Sequence, residues 1–319
     1  MPSIEIAITL GDPAGIGPEI AAHALSKFIR QNPRAKIILF APDYMLTRSG
    51  RFGKFSKNRS VQLHPIAVSK KFTVGQPSEE SAKCALGSLD AAIQHCLSHK
   101  NVSLVTGPLD KSLCAKVLPG FSGHTEYLRD QCGVESTTML LACRSLRVAL
   151  VTTHIALKDV SDQLSVSKIL AKLNHLHDFL KRSRKIPRIS VSALNPHASD
   201  KGLFGDEEDR IISPAISAAK KSGISADGPF SADTIFHPNF RKNYDAILSM
   251  YHDQGLIPVK MNFFDEAVNI TLGLPFLRTS PDHGPAFELA SKSGRASPNS
   301  FYHALCWAHD PRAAFRRKG

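Results

Sequence analysis

Residues 147–193, RVALVTTHIALKDVSDQLSVSKILAKLNHLHDFLKRSRKIPRISVSA, decide the fold. The stretch begins with the apolar run RVALVT (147–152) and ends with a second one, RISVSA (188–193). Continuous apolar runs of this kind are typical of strands that are covered on both faces. Between them, residues 165–182 place their apolar side chains on one helical face. A strand, a helix and a second strand form a crossover unit that makes the two strands a parallel pair, so the sequence predicts an α/β protein.

The amino-terminal region repeats this alternation. A strand over residues 4–10 runs into the glycine turn GDPAGIGPE (11–19), and residues 20–29 are predicted to form a helix with Pro18 near its first turn. A helix over residues 79–98 and a further strand follow. The glycine spacing matches neither GxGxxG nor GxxxxGK[ST], so both nucleotide-binding interpretations fail, and a tight strand-to-helix turn is the remaining one.

The composition is that of a large globular protein. A chain of 319 residues that is 42% hydrophobic can bury a large core, and its length suggests two domains or one large α/β unit. The six cysteines show no CxxC pairing, which indicates reduced thiols. No apolar segment approaches the roughly 18 residues of a membrane span, and the start shows no signal-peptide pattern, so we expect a cytoplasmic protein with no membrane partner. The net charge of +12 is spread along the chain without a nucleic-acid-reading motif, so we expect no nucleic-acid partner.

Three histidines stand just past the ends of such apolar runs. His154 and His197 follow the two runs quoted above, and His252 follows a third, DAILSM (245–250). Ligands of open α/β sheets bind beyond the carboxyl ends of the strands, and three imidazoles on zinc or cobalt leave positions open for substrate oxygens. The sequence therefore predicts a catalytic metal site. Asp253 is a candidate to orient His252, to bind the metal or to accept a proton, and the sequence does not choose among these roles.

Two further segments carry chemistry suited to anions. Lys260, Asn269 and Arg278 supply a positive pair and an amide donor, which suit a phosphate or a carboxylate, although an ordinary solvated face fits as well. The turn GHTE (123–126) precedes a helix-like segment, where Thr125 and nearby backbone amides are placed to bind an anion.

Eight ordered blocks of the sequence resemble one known family. They are GDPAGIGPEI (11–20), TGPLDK (106–111), FSGHTEYL (121–128), VALVTTHIALKDV (148–160), LNPHASD (194–200), ADTIF (232–236), AILSMYHDQGLIPVK (246–260) and VNITLGLPFLRTSPDHG (268–284). Together they resemble, nearly from end to end, the 4-hydroxythreonine-4-phosphate dehydrogenases of pyridoxine biosynthesis.

The resemblance implies a fold and an assembly. The fold would be isocitrate/isopropylmalate dehydrogenase-like, with two α/β/α domains and the active-site cleft between them. Residues 1–125 together with 270–319 would form the first, discontinuous domain, and residues 126–269 would form the second, which would carry the dimer interface and the metal ligands. The resemblance also implies a homodimer with the active site at the subunit interface.

The resemblance implies roles for particular residues as well. One divalent ion, Zn²⁺, Mg²⁺ or Co²⁺, would be held by His154, His197 and His252. Such enzymes oxidise the 3-hydroxyl of 4-phosphooxy-L-threonine with NAD or NADP, and the product loses carbon dioxide to leave 3-amino-2-oxopropyl phosphate. The substrate would be contacted by His124, Thr125, Lys260, Asn269 and Arg278, and the cofactor by His283, Gly284 and Ala286.

The chain departs from the family in two places. The stretch HGPAFELASKSGRASP (283–298) has Pro285 where the family has threonine, and Ser291 and Ser293 near glycine positions, which leaves the choice between NAD and NADP open. In TGPLDK, Asp110 stands where many members have histidine. Paralogues in the family oxidise D-erythronate or D-threonate 4-phosphate, which gives an alternative substrate. Others act on aromatic dihydrodiols, which lack the phosphate that Lys260, Asn269 and Arg278 would bind.

Overall fold

The computed structural model describes residues 4–143, 145–292 and 294–312, which divide into two compact units. Unit 1 takes in the described residues up to Val134, Val268–Ile270, and the described residues from Leu274 onward. Unit 2 takes in the described part of residues 135–267 together with Thr271–Gly273. Ser293 and residues 1–3 and 313–319 of the predicted first domain lie outside the described residues.

The described residues form strands and helices that alternate along the chain. The strands are β1 Glu5–Thr9, β2 Lys36–Pro42, β3 Val61–Ile66, β4 Val102–Thr106, β5 Thr138–Ala142, β6 Arg147–Leu150, β7 Arg188–Ser192, β8 Ser225–Phe230, β9 Ala246–Ser249, β10 Val268–Leu272 and β11 Leu277–Pro281. The α-helices are α1 Gly17–Gln31, α2 Asp43–Leu46, α3 Glu79–Ser98, α4 Lys111–Val117, α5 His124–Gln131, α6 Val166–Lys181, α7 Ser213–Lys221, α8 Ala232–Ile235, α9 Pro238–Arg241, α10 His252–Phe263, α11 Phe287–Ala290 and α12 Asn299–His309.

Unit 1 is built on parallel strands in the order β3-β2-β1-β4-β11. Its core packs apolar side chains of β1, β2 and β4, such as Phe40 and Leu104, against Leu89 and Ile93 of α3. The helix predicted over residues 79–98 is confirmed at both ends as α3. It begins there because the Ser78 side chain accepts a hydrogen bond from the backbone of the third helical residue, which satisfies one of the free N–H groups of the first turn.

The glycine turn after β1 is shaped by close backbone packing. A Cβ atom on Gly11, whose φ is +73°, would lie 2.0 Å from the carbonyl oxygen of Pro108, and one on Gly17 would lie 1.9 Å from that of Leu10. No side chain fits at either position. The strand-to-helix interpretation is therefore confirmed, and α1 begins at Gly17, three residues before the predicted start, with Pro18 in its first turn.

Unit 2 has the strand order β5-β6-β9-β7-β8, in which β5 is antiparallel to β6 and the other neighbours are parallel. Strands β6 and β7 run parallel to each other, as the crossover predicts, but the prediction that they form a pair is wrong. Strand β9 lies between β6 and β7 and pairs with both, in parallel. The crossover through α6 is long enough to pass over one strand, and β9 fits this central place because all four of its residues are buried.

The helices of unit 2 end close to the predicted positions. Ser165 caps α6 by accepting the backbone N–H of Lys168. Residues Glu208–Ile212 form a π-helical turn, and α7 follows it with Pro214 in its first turn. Proline lacks an N–H group and so is tolerated in a first turn, where that group would have no partner within the helix.

All six cysteines are free, and four of them are buried, as the sequence predicts. Within the described ranges, we find no helix with the length and the apolar character needed to cross a membrane.

Candidate functional site

The three predicted metal-binding histidines follow three neighbouring parallel strands of unit 2. In the order β6-β9-β7, His154 follows β6, His252 follows β9 and His197 follows β7. Because parallel strands end at the same edge of a sheet, this order places all three post-strand segments at one edge. His252 is the first residue of α10.

Two of these histidines lie close together. The ring centroids of His154 and His252 are 5.5 Å apart. Nδ1 of His252 lies 2.6 Å from Oδ1 of Asp253, so Nε2 is the nitrogen that His252 presents to a further partner. A carboxylate on one ring nitrogen is the usual way in which a metal-binding histidine is oriented. This contact favours the orienting role among the three that the sequence left open for Asp253.

His197 is exposed and lies in a left-handed turn. The φ angles of the five consecutive residues from His197 to Lys201, none of them glycine, are all positive and lie between +44° and +64°. Each such residue costs on the order of 1 to 3 kcal/mol, and strain of this kind concentrates at functional sites. Across the described residues, no three side chains of His, Cys, Asp or Glu are grouped so that they could hold a metal ion. The structure therefore brings His154 and His252 together but does not bring His197 to them.

Two glutamates that the sequence did not single out hold the segment before His197. Glu208, only 2% exposed, accepts hydrogen bonds from the backbone N–H groups of Leu194 and Asn195, both at 2.8 Å. The Asn195 side chain donates to Glu207 at 2.7 Å and to Glu208 at 2.9 Å. Acidic residues are common at helix starts, so their position after a loop gave no signal of this contact. Only the structure shows this contact, because it shows that Glu208 is buried next to the segment before His197.

In unit 1, Arg278 is a buried cation next to a hydroxyl group. The residue is 2% exposed, and its guanidinium donates from Nε at 3.1 Å and from Nη2 at 2.6 Å to Oγ1 of Thr106. Burial lowers the pKa of Arg278 to about 9, against the opposing effect of the Glu126 carboxylate. A guanidinium donates charge-assisted hydrogen bonds in a planar, fixed geometry that matches the oxygens of an anion. The surroundings of Arg278 therefore suit a phosphate or a carboxylate.

His124 adds a neutral imidazole to this cluster. It is the first residue of α5, and burial holds its pKa well below the usual value, with smaller contributions from the Arg278 and Lys111 cations. Thr125 follows it in the first turn of α5 and is partly buried. Arg278, Lys111 and His124 thus interact electrostatically within unit 1. Lys111 belongs to TGPLDK, where the sequence gave Asp110 no role, and Asp110 instead caps α4 by accepting from the Leu113 backbone.

The other two residues predicted to bind an anion with Arg278, Lys260 and Asn269, lie in different units. Lys260 is in α10 of unit 2, with its Nζ atom 6.0 Å from the ring centroid of Phe264. Asn269 is in the part of β10 that belongs to unit 1. Its buried Oδ1 atom has no hydrogen-bond partner among the described residues. An unpaired buried amide oxygen is unfavourable, so this atom is suited to accept a hydrogen bond from a ligand.

The predicted cofactor residues lie on a loop that the glycine turn holds. Ala286 has a left-handed φ of +43°, and Nδ1 of His283 lies 3.1 Å from the carbonyl oxygen of exposed Gly284. The N–H of Ile16 donates to the carbonyl of Pro285 at 2.9 Å, and Glu19 accepts from the N–H of Gly294 at 2.7 Å. The turn that matched no nucleotide motif therefore anchors both ends of this loop. All of these contacts lie within unit 1.

Comparisons with known proteins identify the relatives of this chain. A family model described as "Pyridoxal phosphate biosynthetic protein PdxA" matches residues 22–308. A 4-hydroxythreonine-4-phosphate dehydrogenase from Burkholderia vietnamiensis is 40% identical over 316 residues, which cover 95% of each chain.

Solved structures agree with this similarity and confirm the predicted fold class. The crystal structure of a 4-hydroxythreonine-4-phosphate dehydrogenase from Klebsiella pneumoniae matches with a TM-score of 0.83 and 33% identity, over 96% of this chain and 98% of that one. A terephthalate 1,2-cis-dihydrodiol dehydrogenase from Burkholderia xenovorans matches with a TM-score of 0.70 and 22% identity, over 96% of this chain and 97% of that one. At that identity the second similarity concerns the fold alone.

Proposed function

The chain belongs to the PdxA family of pyridoxal phosphate biosynthetic proteins, and we propose that it is the oxidoreductase that converts 4-phosphooxy-L-threonine to 3-amino-2-oxopropyl phosphate. The reaction removes a hydride from the 3-hydroxyl carbon to NAD or NADP and releases the carboxyl group as carbon dioxide. The nicotinamide supplies the hydride chemistry, while the protein supplies position and electrostatics.

The observation that carries this proposal is the buried cation of unit 1. Arg278 is held by Thr106 beside His124, and such a pre-formed donor set is suited to the phosphate of the substrate. Binding energy from the phosphate would orient the reacting carbon, because a substrate fixed at its far end loses freedom before the chemical step. We assign Thr125, Lys260 and Asn269 to further substrate contacts.

We also propose that His154, His197 and His252 hold one divalent ion, Zn²⁺, Mg²⁺ or Co²⁺. Support comes from the adjacency of β6, β9 and β7, from the paired rings of His154 and His252, and from imidazole being a preferred ligand of zinc and cobalt. When bound, such an ion lowers the pKa of a coordinated hydroxyl group and stabilises negative charge on oxygen. His197 completes the donor set only if its turn closes toward the other two. Asp253 holds the ring of His252 through Nδ1 in the orientation that exposes Nε2.

The cofactor and the assembly follow from the same proposal. His283, Gly284 and Ala286 would contact NAD or NADP on the loop anchored by the glycine turn. A homodimer would cover the apolar residues that α10 and its cap expose, Ile257, Met261 and Phe264, which are 59%, 83% and 72% exposed. The cytoplasmic location and the domain borders stay predictions.

A direct spectrophotometric assay tests the reaction. Purified protein is given 4-phosphooxy-L-threonine and NAD or NADP with each of the three ions, and reduced nicotinamide is followed by its absorbance. Turnover that a chelator abolishes supports both the substrate and the metal. Parallel reactions with D-erythronate and D-threonate 4-phosphate address the alternative, since a higher kcat/KM for either would replace the substrate while keeping the site. Absence of turnover with all three substrates would contradict the proposed reaction.

A further inference from the structure

We infer that the carboxylate of Glu126 binds the 2-ammonium group of the substrate and so selects an amino acid phosphate over a sugar-acid phosphate. Glu126 is thereby a specificity-determining residue, and it is not among the residues to which the family resemblance gives a role. The inference rests on the proposed function, because it places the charged groups of the proposed substrate at the cluster of Arg278, Lys111 and His124. All four residues lie in unit 1.

Glu126 lies in the first turn of α5, two residues after His124. Its carboxylate is near the guanidinium of Arg278, since it opposes the lowering of the Arg278 pKa that burial causes. A Cβ atom placed on Gly123 would lie 3.1 Å from Oε2 of Glu126 and 3.4 Å from Nζ of Lys111. Because glycine lacks that atom, the carboxylate and the ammonium group of Lys111 both lie over the bare backbone of residue 123. Glu126 therefore belongs to the same cluster as the two cations.

The carboxylate of Glu126 is not used by the fold. It makes no hydrogen bond or ion pair with any residue that the structure describes. The other acidic residues of the first three blocks of the resemblance, Asp12, Glu19 and Asp110, each accept a hydrogen bond from a backbone N–H group. Those three carboxylates hold turns and loops of the protein, whereas the carboxylate of Glu126 is suited to a ligand.

The proposed substrate carries charges of both signs. Its phosphate and carboxylate groups are anions, and its 2-amino group is an ammonium cation at neutral pH. Arg278 and Lys111 attract the anions but repel the ammonium group, and the neutral His124 offers it no charge. A carboxylate beside these cations supplies the missing complement, because hydrogen bonds to a charged group are roughly twice as strong as neutral ones.

This placement separates two classes of substrate. D-erythronate and D-threonate 4-phosphate carry a hydroxyl group where the threonine compound carries its amino group. A hydroxyl group can donate one hydrogen bond to a carboxylate, but it brings no positive charge. The carboxylate of Glu126 therefore attracts the amino compound and repels a ligand whose charges are all negative. Specificity gained by attraction of one ligand and repulsion of its competitor is larger than either effect gives alone.

The test compares Glu126→Gln with Asp130→Asn in the full-length protein. Both changes remove one negative charge from α5, but Asp130 is exposed and paired with Arg129, so the two variants separate the position of the charge from the total charge. Isothermal titration calorimetry without nicotinamide measures the binding of 4-phosphooxy-L-threonine, D-threonate 4-phosphate and inorganic phosphate. No oxidation occurs without the hydride acceptor, so the dissociation constants report binding alone.

We expect the parent to bind the amino compound at least about tenfold more tightly than D-threonate 4-phosphate, because an ion pair replaces a neutral contact. Glu126→Gln should abolish this preference. It should also bind inorganic phosphate at least as tightly as the parent does, since it removes a negative charge near Arg278. Asp130→Asn should match the parent with all three probes. If circular dichroism shows that Glu126→Gln is unfolded, Glu126→Ala carries the same expectations.

Three results would overturn the inference. An equal loss of affinity for all three probes in Glu126→Gln would show a structural role instead. A preference for the amino compound that is the same in Glu126→Gln and the parent would remove Glu126 from recognition, while the proposed reaction stands if the parent still oxidises 4-phosphooxy-L-threonine. A parent that oxidises none of the three phosphorylated acids would overturn the proposed function and the inference that rests on it.

Discussion

The proposed anion cluster of unit 1 and the histidine-bearing segments of unit 2 differ in how their side chains are held. Arg278 is buried and held by Thr106, and His124 is kept neutral by its surroundings, so this cluster is formed before any ligand arrives. His154 and His197 are exposed, and His197 lies in a strained turn that directly follows the segment held by Glu208. The difference teaches that burial holds the side chains of the proposed anion cluster, while loop geometry decides where the proposed metal ligands lie. Substitutions should therefore act differently in the two regions.

The largest effect is expected in unit 2 at His252. His252→Ala removes one of the two proposed metal-binding histidines whose ring centroids lie 5.5 Å apart. We expect kcat to fall by about 10³-fold, which corresponds to roughly 4 kcal/mol of lost charge stabilisation, with little change in the KM of the phosphorylated substrate. Steady-state kinetics with a saturating divalent ion measures both constants. His99→Ala, at an exposed histidine in unit 1, is the matched control, and an equal loss in both variants would contradict a specific role.

A different kinetic pattern is expected in unit 1. Arg278→Ala removes the buried cation, and we expect KM for the phosphorylated substrate to rise by about 10²-fold, since the loss of a buried charged partner typically costs 2 kcal/mol or more. Arg278→Lys should recover part of the affinity, because it restores the charge without the planar fork. Arg129→Ala removes an exposed arginine of the same unit and serves as the control. A KM that stays constant in Arg278→Ala would contradict binding of the substrate's phosphate by this cluster.

The same contrast explains how much of the molecule the sequence could predict. Apolar periodicity predicted α3 to the residue and located β6, β7 and β9, because burial on one or both faces leaves a regular pattern. It could not show that β9 lies between β6 and β7, since strand order depends on long-range packing. The positions of His154, His197 and His252 after strands predicted their approach to one sheet edge. The closure of His197 onto the other two, the cleft between the domains and the borders at residues 125 and 270 stay predictions.

The contacts of Glu207 and Glu208 escaped prediction for a physical reason. Glu207 and Glu208 occupy the start of a helical segment, where acidic residues also occur for their favourable interaction with the helix dipole. Only the fold reveals that Glu208 is buried and that its partners lie on the loop before it. Sequence motifs describe side chains that bind ligands. Side chains that hold a loop, such as that of Glu208, contact backbone groups and therefore need no fixed spacing.

The neutral state of His124 makes unit 1 sensitive to acid. Its folded-state pKa is depressed below the ordinary value of 6.5 because of burial, so the unfolded chain binds a proton at pH values where the native protein does not. Its contribution to stability is fully present above pH 6.5 and is lost as pH falls below that value toward the folded pKa. We expect about 1 kcal/mol of lost unfolding free energy between pH 6.5 and 5.5, measured by urea denaturation. His124→Asn should lose less over this interval than the parent does, and parallel curves would contradict a neutral His124.

The smallest effect is expected from relieving the strain of unit 2. Lys201 is exposed, closes the left-handed turn with a φ of +59°, and is the turn residue farthest from His197. Glycine adopts this conformation without a steric penalty, although it loses more entropy on folding, so Lys201→Gly should raise the unfolding free energy by about 0.5 to 1 kcal/mol. Lys201→Ala removes the same side chain and keeps the penalty, so it should bring no such gain. We expect the stabilised Lys201→Gly protein to bind Co²⁺ no more tightly than the parent, because the added flexibility raises the entropy cost of closing the turn toward His154 and His252. A Lys201→Gly variant with both higher stability and higher Co²⁺ affinity would show that the strained conformation at this position contributes to neither folding nor metal binding. That result would contradict the contrast between the buried cluster of unit 1 and the strained turn of unit 2.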